Sequence, residues 1–279
     1  MPDLPEIETL RRDLEKEVAG RKIKDVEISA MRNLGRHATK KQVSSRLEGV
    51  KITTVIRKGT LLVFVLDSEE RILADLADSG RLVKAANKDA AHDHTQVAIV
   101  FTQGGQLRFV ACEDDAMLEV LTEEELEAEI ADRMGQGVDP AAQPISWTQF
   151  GSMLRSRSTK LKTFLMDPDV LIGLGPLYAD EILFNAGLRH DRASESLSTQ
   201  EIRRLYRSVV GTLHDAVKYR GTSLEGDHPW IGLDGQPGEY QEHLQVYGKD
   251  GEMSPRARGP IKRVKFSGNW TYFCDQSQV

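Results

Sequence analysis

The hydrophobic period passes from strand-like to helical midway along this 279-residue chain, and that change excludes any single repeating architecture. Between residues 22 and 111 the apolar residues run in short β-branched segments, KIKDVEIS, VKITTVIRKGTLLVFVL, QVAIVFT and GQLRFVA, divided by Asp-, Gly- and Ser-rich turns. From Ser146 to Arg220 the spacing becomes helical, in SWTQFGSMLRSR, YADEILFNAGL and STQEIRRLYRSVVGTLHDAVKYR, and Ser198 with Glu201 forms a capping-box pattern at the head of the last. A sandwich-like or barrel-like β layer followed by a helical domain is expected, an α+β chain long enough for each part to bury its own core.

A helix of about four turns precedes the β layer. In PDLPEIETLRRDLEKEVAG the apolar residues Ile7, Leu10, Leu14 and Val18 share one face, and Gly20 is the expected C-cap. The dipeptides DP and QP in GVDPAAQPISW predict a linker over 136–145. GTSLEGDHPWIGLDGQPGE has no periodicity and reads as a long loop of the kind that carries function. The last stretch, LQVYGKDGEMSPRARGPIKRVKFSGNWTYFCDQ, reads as a hairpin with Arg256, Arg258, Lys262, Arg263 and Lys265 near its turn. The expected organisation is a helix and β domain over 1–135, the linker, a helical domain with the long loop over 146–235, and the hairpin over 236–279.

Charge is uneven. The net charge is −6, and residues 1–145 hold 20 Lys and Arg against 27 Asp and Glu, whereas residues 146–279 hold 17 against 16. From Glu113 to Asp132 there are ten acids and no Lys or Arg, which suits either a solvated helix face or a functional acidic patch. No apolar run approaches the roughly 20 residues of a membrane span, and the acidic, proline-punctuated start is unlike a signal peptide. A cytoplasmic protein that makes no membrane contact is expected. Two cysteines, Cys112 and Cys274, cannot build a disulfide framework or a four-cysteine metal site, so reduced thiols are expected.

Chemistry concentrates at MPDLPEIETLRR. Initiator methionine is removed before a small residue, which predicts Pro2 as the mature terminus. An α-amino group has an unperturbed pKa near ~8 and is partly neutral at pH 7, so it can act as a nucleophile. Its attack on a masked sugar aldehyde gives an iminium, an electron sink for breaking adjacent bonds. That route needs an acid to open the sugar ring and a base to take a proton, with Asp3, Glu6 and Glu8 as candidates. The same residues also suit a plain helix start, proline through its preset φ and glutamate through the helix dipole.

MPDLPEIETLRR resembles the opening of the formamidopyrimidine-DNA glycosylase and endonuclease VIII family. GLGPLYADEILFNAGLRHDR is similar to the family's helix–two-turn–helix element, DGQPGEYQEHLQVYGKDGE to the approach to its finger hairpin, and HDHTQVAIVF to one of its strands. The resemblance spans essentially the whole chain in the expected order. It implies an N-terminal helix with a β-sandwich, then a helical domain with a β-hairpin finger. It also implies a base-excision DNA glycosylase that takes a damaged base out of the stack, acts as a monomer on damaged or abasic DNA and needs no cofactor. Pro2 would be the nucleophile, Glu6 a supporting carboxylate, and Asp3 the proton donor, one methylene shorter than the family's Glu. His92, Arg157, Lys162, Gly175, Lys249 and Arg263 would contact DNA.

Several positions depart from the family pattern. Thr60 stands at the catalytic lysine, with Lys58 nearby. Asp78, Glu113, Asp114 and Asp115 occupy the region of the Met, Arg and Phe that fill the gap left by a flipped base. Pro176 replaces a phosphate-binding Asn, and Asn269 the finger arginine. The four finger cysteines read Ser254, Ala257, Cys274 and Ser277, so no zinc is expected, and Trp270, Tyr272 and Phe273 are expected to give the hairpin an apolar core. These departures imply altered lesion specificity and weakened lyase chemistry. They leave two alternatives: a catalytically silent DNA-binding paralogue, or a protein repurposed for another partner, with the four acids as a new site that could take a hard cation such as Mg²⁺.

Overall fold

The structure, a computed structural model, describes residues 2–37, 39–90, 92–143, 145–226 and 228–279. Met1, whose removal the sequence predicts, and Pro144 of the QP dipeptide lie outside them. The chain divides into two compact units, residues 1–133 with 220–239, and residues 134–219 with 240–279.

The first unit begins with α1 (Leu4–Val18), whose apolar face, Ile7, Leu10, Leu14 and Val18, is buried as its spacing requires. Helix α1 gives way at an extended Ala19, one residue before the expected cap, and Gly20 takes φ +80°. Next come β1 (Ile23–Ile28), α2 (Lys40–Leu47), β2 (Ile52–Lys58), β3 (Leu61–Leu66), β4 (Glu70–Asp75), β5 (Gly80–Ala85), β6 (Thr95–Phe101), β7 (Gln106–Ala111), β8 (Met117–Thr122) and α3 (Glu123–Arg133). The strands form two antiparallel four-stranded sheets, ordered β1-β6-β7-β5 and β2-β3-β4-β8, so of the two expected β architectures the sandwich is the one formed. Phe64, Phe101, Phe109, Leu82 and Leu118 from both sheets join the α1 face in one core. The acidic stretch after Glu123 is α3, a helix with Leu126 as its buried residue.

The second unit holds α4 (Trp147–Arg155), α5 (Leu161–Met166), α6 (Pro176–Ala186), α7 (Thr199–Lys218) and the hairpin of β9 (Lys262–Phe266) and β10 (Asn269–Phe273). Reciprocal capping boxes open α4 at Ser146/Gln149 and α7 at Ser198/Glu201. Phe150, Phe164, Tyr178, Ile202 and Leu205 centre its core.

Two boundaries differ from those read in the sequence. The loop over 220–239 belongs with the first unit, because its amides and carbonyls bond to α1 and β5. The segment 136–145 is packed into the second unit, with Gly137 and Val138 donating to the carbonyls of Pro168 and Val170 at 3.0 and 2.9 Å. A backbone so engaged is an anchored edge of that unit, not a slack connection.

Candidate active site

The start of α1 brings together the terminal residues that the sequence singles out. Asp3 is the N-cap residue in extended geometry, its carbonyl accepting from Ile7 N at 3.2 Å, and Pro5 lies in the first turn, where a missing N–H costs nothing. Glu6 is 3% exposed, and its Oε1 accepts from Thr222 N at 2.7 Å. Pro2 and Asp3, by contrast, are half-buried. The start of α1 thus carries two carboxylates in different settings, Glu6 deep within the first turn and Asp3, at the N-cap, nearer solvent.

The partner of Glu6 comes from the long loop, some two hundred residues away in sequence, and its position depends on two glycines. Gly221 has φ +80°, and a Cβ there would stand 2.8 Å from Glu6 Oε1; a Cβ on Gly238 would stand 2.2 Å from the Gly221 carbonyl oxygen. Further bonds hold the loop to the unit: Arg220 pairs with Asp13 at 2.7 Å, Trp230 Nε1 donates to Arg220 O at 3.1 Å, Gly238 N donates to Ser223 Oγ at 2.8 Å, and Lys84 N donates to Leu233 O at 3.2 Å. Nothing in the loop's composition named Glu6 as its target.

Glu8, the third candidate, is a structural hub. It accepts from Arg11 at 3.1 Å, from Arg12 at 2.8 Å and from the buried Arg57 at 3.1 Å. Burial alone would raise its pKa, but the three guanidinium hydrogen bonds outweigh it and hold the carboxyl at about 2. A group so acidic carries no proton to give at neutral pH. Arg57, which the sequence reading passed over, is therefore the cation facing α1, and its Nη1 also donates to Gly59 O at 2.7 Å. Lys58 points the other way: with Ile56, Val63, Val65 and α3 residues Leu126 and Ile130 it lines a groove of about 400 Å³ on the opposite sheet face. Lys58 ends β2, and Gly59, at φ +56°, begins the turn to β3 that carries Thr60.

The acidic loops are closed on each other. Asp115 Oδ2 accepts from Asp78 N at 2.9 Å and Ser79 N at 3.2 Å, Ser79 Oγ donates to Asp115 Oδ1, and Glu113 N donates to Ser79 Oγ at 3.3 Å. From the other side Asn33 Nδ2 donates to Glu113 O at 2.8 Å and Ala116 O at 2.7 Å, and Arg32 lies 3.4 Å from Asp114. Asp115 therefore serves as a clasp. No group of three His, Cys, Asp or Glu among the described residues stands close enough to hold a metal ion, which removes the four-acid cation site.

The residues expected to meet DNA fall into two sets. His92, Lys249 and Arg263 keep side chains at or near the surface, and Arg157 is 41% exposed while bonded to Asp167 at 2.8 Å. Gly175 is the N-cap residue of α6, with Gly173 at φ +75° ahead of it. Lys162 is a correction. It is 1% exposed, and its Nζ meets Asp180 Oδ1 at 2.7 Å, Thr271 Oγ1 at 2.8 Å and Trp270 O at 3.1 Å, so it joins α5 and α6 to the hairpin and cannot reach a phosphate. Burial pushes the Asp180 carboxyl up to about 7 against the pull of Lys162. Glu181 beside it is fully buried and accepts from the amides of Gln245, Val246 and Tyr247.

Where the finger's metal ligands would stand, hydrogen bonds close the hairpin instead. Ser254 N donates to Gly259 O at 3.0 Å, and Cys274 N to Gln278 Oε1 at 2.9 Å, while Gln278 Nε2 reaches Leu188 O at 2.8 Å. One thiol, two hydroxyls and a methyl do not make a tetrahedral zinc site. Tyr272, Phe273 and Cys274 are buried as a small apolar core would require, with Phe184, Val246 and Ile261 around Tyr272 and Cys274; Trp270 is not part of it and is 41% exposed.

The family model described as the formamidopyrimidine-DNA glycosylase N-terminal domain matches residues 1–113, and that of the H2TH domain matches residues 136–227. Relatives named formamidopyrimidine-DNA glycosylase from Heliobacterium modesticaldum and Geobacillus kaustophilus are 34% and 32% identical, each over 100% of both chains. A solved complex between the Lactococcus lactis Fpg and DNA containing an abasic site has a TM-score of 0.86 at 28% identity, covering 99% of each chain. A mutant of that protein with DNA containing Fapy-dG gives the same figures.

Proposed function

Because the chain belongs to the formamidopyrimidine-DNA glycosylase family, we propose that it is a DNA glycosylase whose mature terminal residue, Pro2, attacks C1′ of a damaged nucleotide. The single observation that carries this reading is the start of α1, where the half-buried Pro2 and Asp3 lead into a first turn whose buried Glu6 accepts from the Thr222 amide. The Pro2 nitrogen forms a bond to C1′ as the glycosidic bond breaks, and the N–H proton it gives up leaves on the base. Asp3 gives a proton to the ring oxygen, the sugar opens, and the nitrogen lone pair closes an iminium. Water adding to that iminium returns the amine and leaves an abasic aldehyde. The Thr222 amide helps to fix the Glu6 carboxylate through a rigid backbone group.

Lyase chemistry after the iminium is weak in this reading, because Thr60 supplies no amine and Asn269 no guanidinium. Specificity departs from that of relatives that place apolar and basic side chains on the two loops, since Asp115 closes those loops here. Duplex deformation is the step these substitutions burden most.

Borohydride reduction in the presence of DNA carrying an abasic site tests the reading. A covalent protein–DNA adduct is expected, sharply reduced in Pro2→Glu, where a large second residue keeps the initiator methionine and displaces the terminal amine; absence of an adduct with the unaltered chain, beside salt-dependent DNA binding, would establish the silent paralogue instead.

A further inference from the structure

The hairpin carries an aromatic surface that the chemistry at Pro2 does not use. Strands β9 and β10 pair Trp270 with Lys265 and Tyr272 with Arg263, so all four side chains stand on one face of the ribbon. Tyr272 is 8% exposed and turns to Tyr247, with ring centroids 4.8 Å apart. Trp270, beside it, is 41% exposed, with the Arg263 guanidinium carbon 4.4 Å and the Lys265 Nζ 4.2 Å from its ring centre. Arg263 also lies 3.6 Å from Asp250, too far for a hydrogen bond.

The Trp270 indole differs from the other exposed apolar side chains in carrying two cations at its ring. The ribbon that presents it is rigid: Ser267 and Gly268 take φ +48° and +82° in a two-residue turn, Thr271 is fully buried, and Lys162 grips Trp270 O and Thr271 Oγ1 from beneath. An aromatic ring on a fixed support, with two flexible cations drawn over it that can turn to the phosphates as a base takes their place on the ring, is an arrangement that stacks a base and neutralises its flanking phosphates.

We propose that Trp270, with Arg263 and Lys265, is a stacking platform for an unpaired base of single-stranded DNA. Stacking needs a base whose face is open, which a paired strand does not offer along its length. The surface therefore selects DNA that is already unpaired, and it supplies a grip on the substrate that does not depend on opening a duplex. The inference rests on the reading of the chain as a DNA-binding glycosylase.

The test is fluorescence anisotropy of the full chain with a labelled oligodeoxythymidine and, separately, a labelled blunt duplex. Trp270→Ala is expected to weaken single-strand binding by about 5- to 150-fold, the range for loss of one base–aromatic stack, while Trp270→Phe keeps most of the affinity and duplex binding changes less than about twofold. Arg263→Ala with Lys265→Ala lowers the salt dependence of single-strand binding. Unchanged oligodeoxythymidine affinity in Trp270→Ala, or an equal loss on both DNAs, overturns the platform and leaves the glycosylase reading intact. Failure of the unaltered chain to bind either DNA overturns both.

Discussion

At the residue scale, the catalytic hypothesis turns on a glycine. Gly221 adopts a backbone conformation that other residues rarely take, and its missing side chain makes room for the Glu6 carboxylate. Gly221→Ala is expected to lower stability by about 1–2 kcal/mol in urea unfolding, from the left-handed φ and the displaced carboxylate. Its effect on adduct formation with abasic DNA should exceed that, about tenfold or more, because an ångström of displacement at Glu6 moves a group placed for chemistry. A fall in adduct formation no larger than the loss of folded protein would show that Glu6 only packs. Neither Glu6 nor Gly221 announced this pairing in the sequence. The family resemblance pointed to Pro2 and Glu6, but the amide that fixes Glu6 belongs to a loop whose composition says only that it is a loop. Arg57 and Glu8 show the complementary gap: Glu8 reads as an acid–base candidate and Arg57 carries no signal, yet their meeting across 49 positions helps hold the Glu8 carboxyl at about 2.

Among the elements, the long periodic ones were legible and the short or charge-broken ones were not. Helices α1 and α7 carry four or more apolar residues at helical spacing, and the α7 capping box stands in the letters themselves. Strands β4 and β5 read ERILAD and GRLVKA, where charges interrupt the alternation, and α5 has six residues, too few for a helical period to show. Element α5 nonetheless holds the hairpin, through Lys162. Lys162→Met leaves Asp180 buried and unpaired and is expected to cost about 3–5 kcal/mol at pH 8. Because Asp180 has its pKa pushed up to about 7, the loss should shrink at pH 6, where the carboxyl takes a proton and needs no partner. Adding Asp180→Leu should restore most of the stability. Denaturant titrations of the single and double variants at both pH values check this, and a loss in Lys162→Met that is independent of pH would refute it. Lys162 was read as a DNA-facing charge because its partner sits on a different helix, and sequence spacing carries no information about such pairs.

For the whole molecule, each unit contains a carboxylate held at about 2, Glu8 in the first and Glu201 in the second. For both, burial raises the pKa and hydrogen bonds outweigh it, those of Arg11, Arg12 and Arg57 on Glu8 and those of Arg192 and Ser198 on Glu201. A folded-state pKa below the unfolded one adds stability that is fully present above about 4.5 and is lost as pH falls toward 2. Acid should therefore loosen both units over the same window. Glu8→Gln is expected to be less stable than the unaltered chain at pH 7, with the difference in urea midpoint closing as pH falls from about 4.5 to 2; a difference constant with pH would remove Glu8 as the cause. The two-unit division itself was readable from the change of period, and its exact membership was not, since 220–239 follows a helix in sequence and bonds to another in space.

The closure of the hairpin reaches beyond its own geometry. A finger knotted by four thiolates comes undone when an oxidant takes its sulfurs or a chelator its ion, and those are conditions under which DNA lesions accumulate. Here Ser254, Gln278, the Lys162–Asp180 pair and the amides on Glu181 do that holding, and the one thiol of the hairpin segment, Cys274, is fully buried. A fold assembled in this way keeps its grip through peroxide and metal starvation alike.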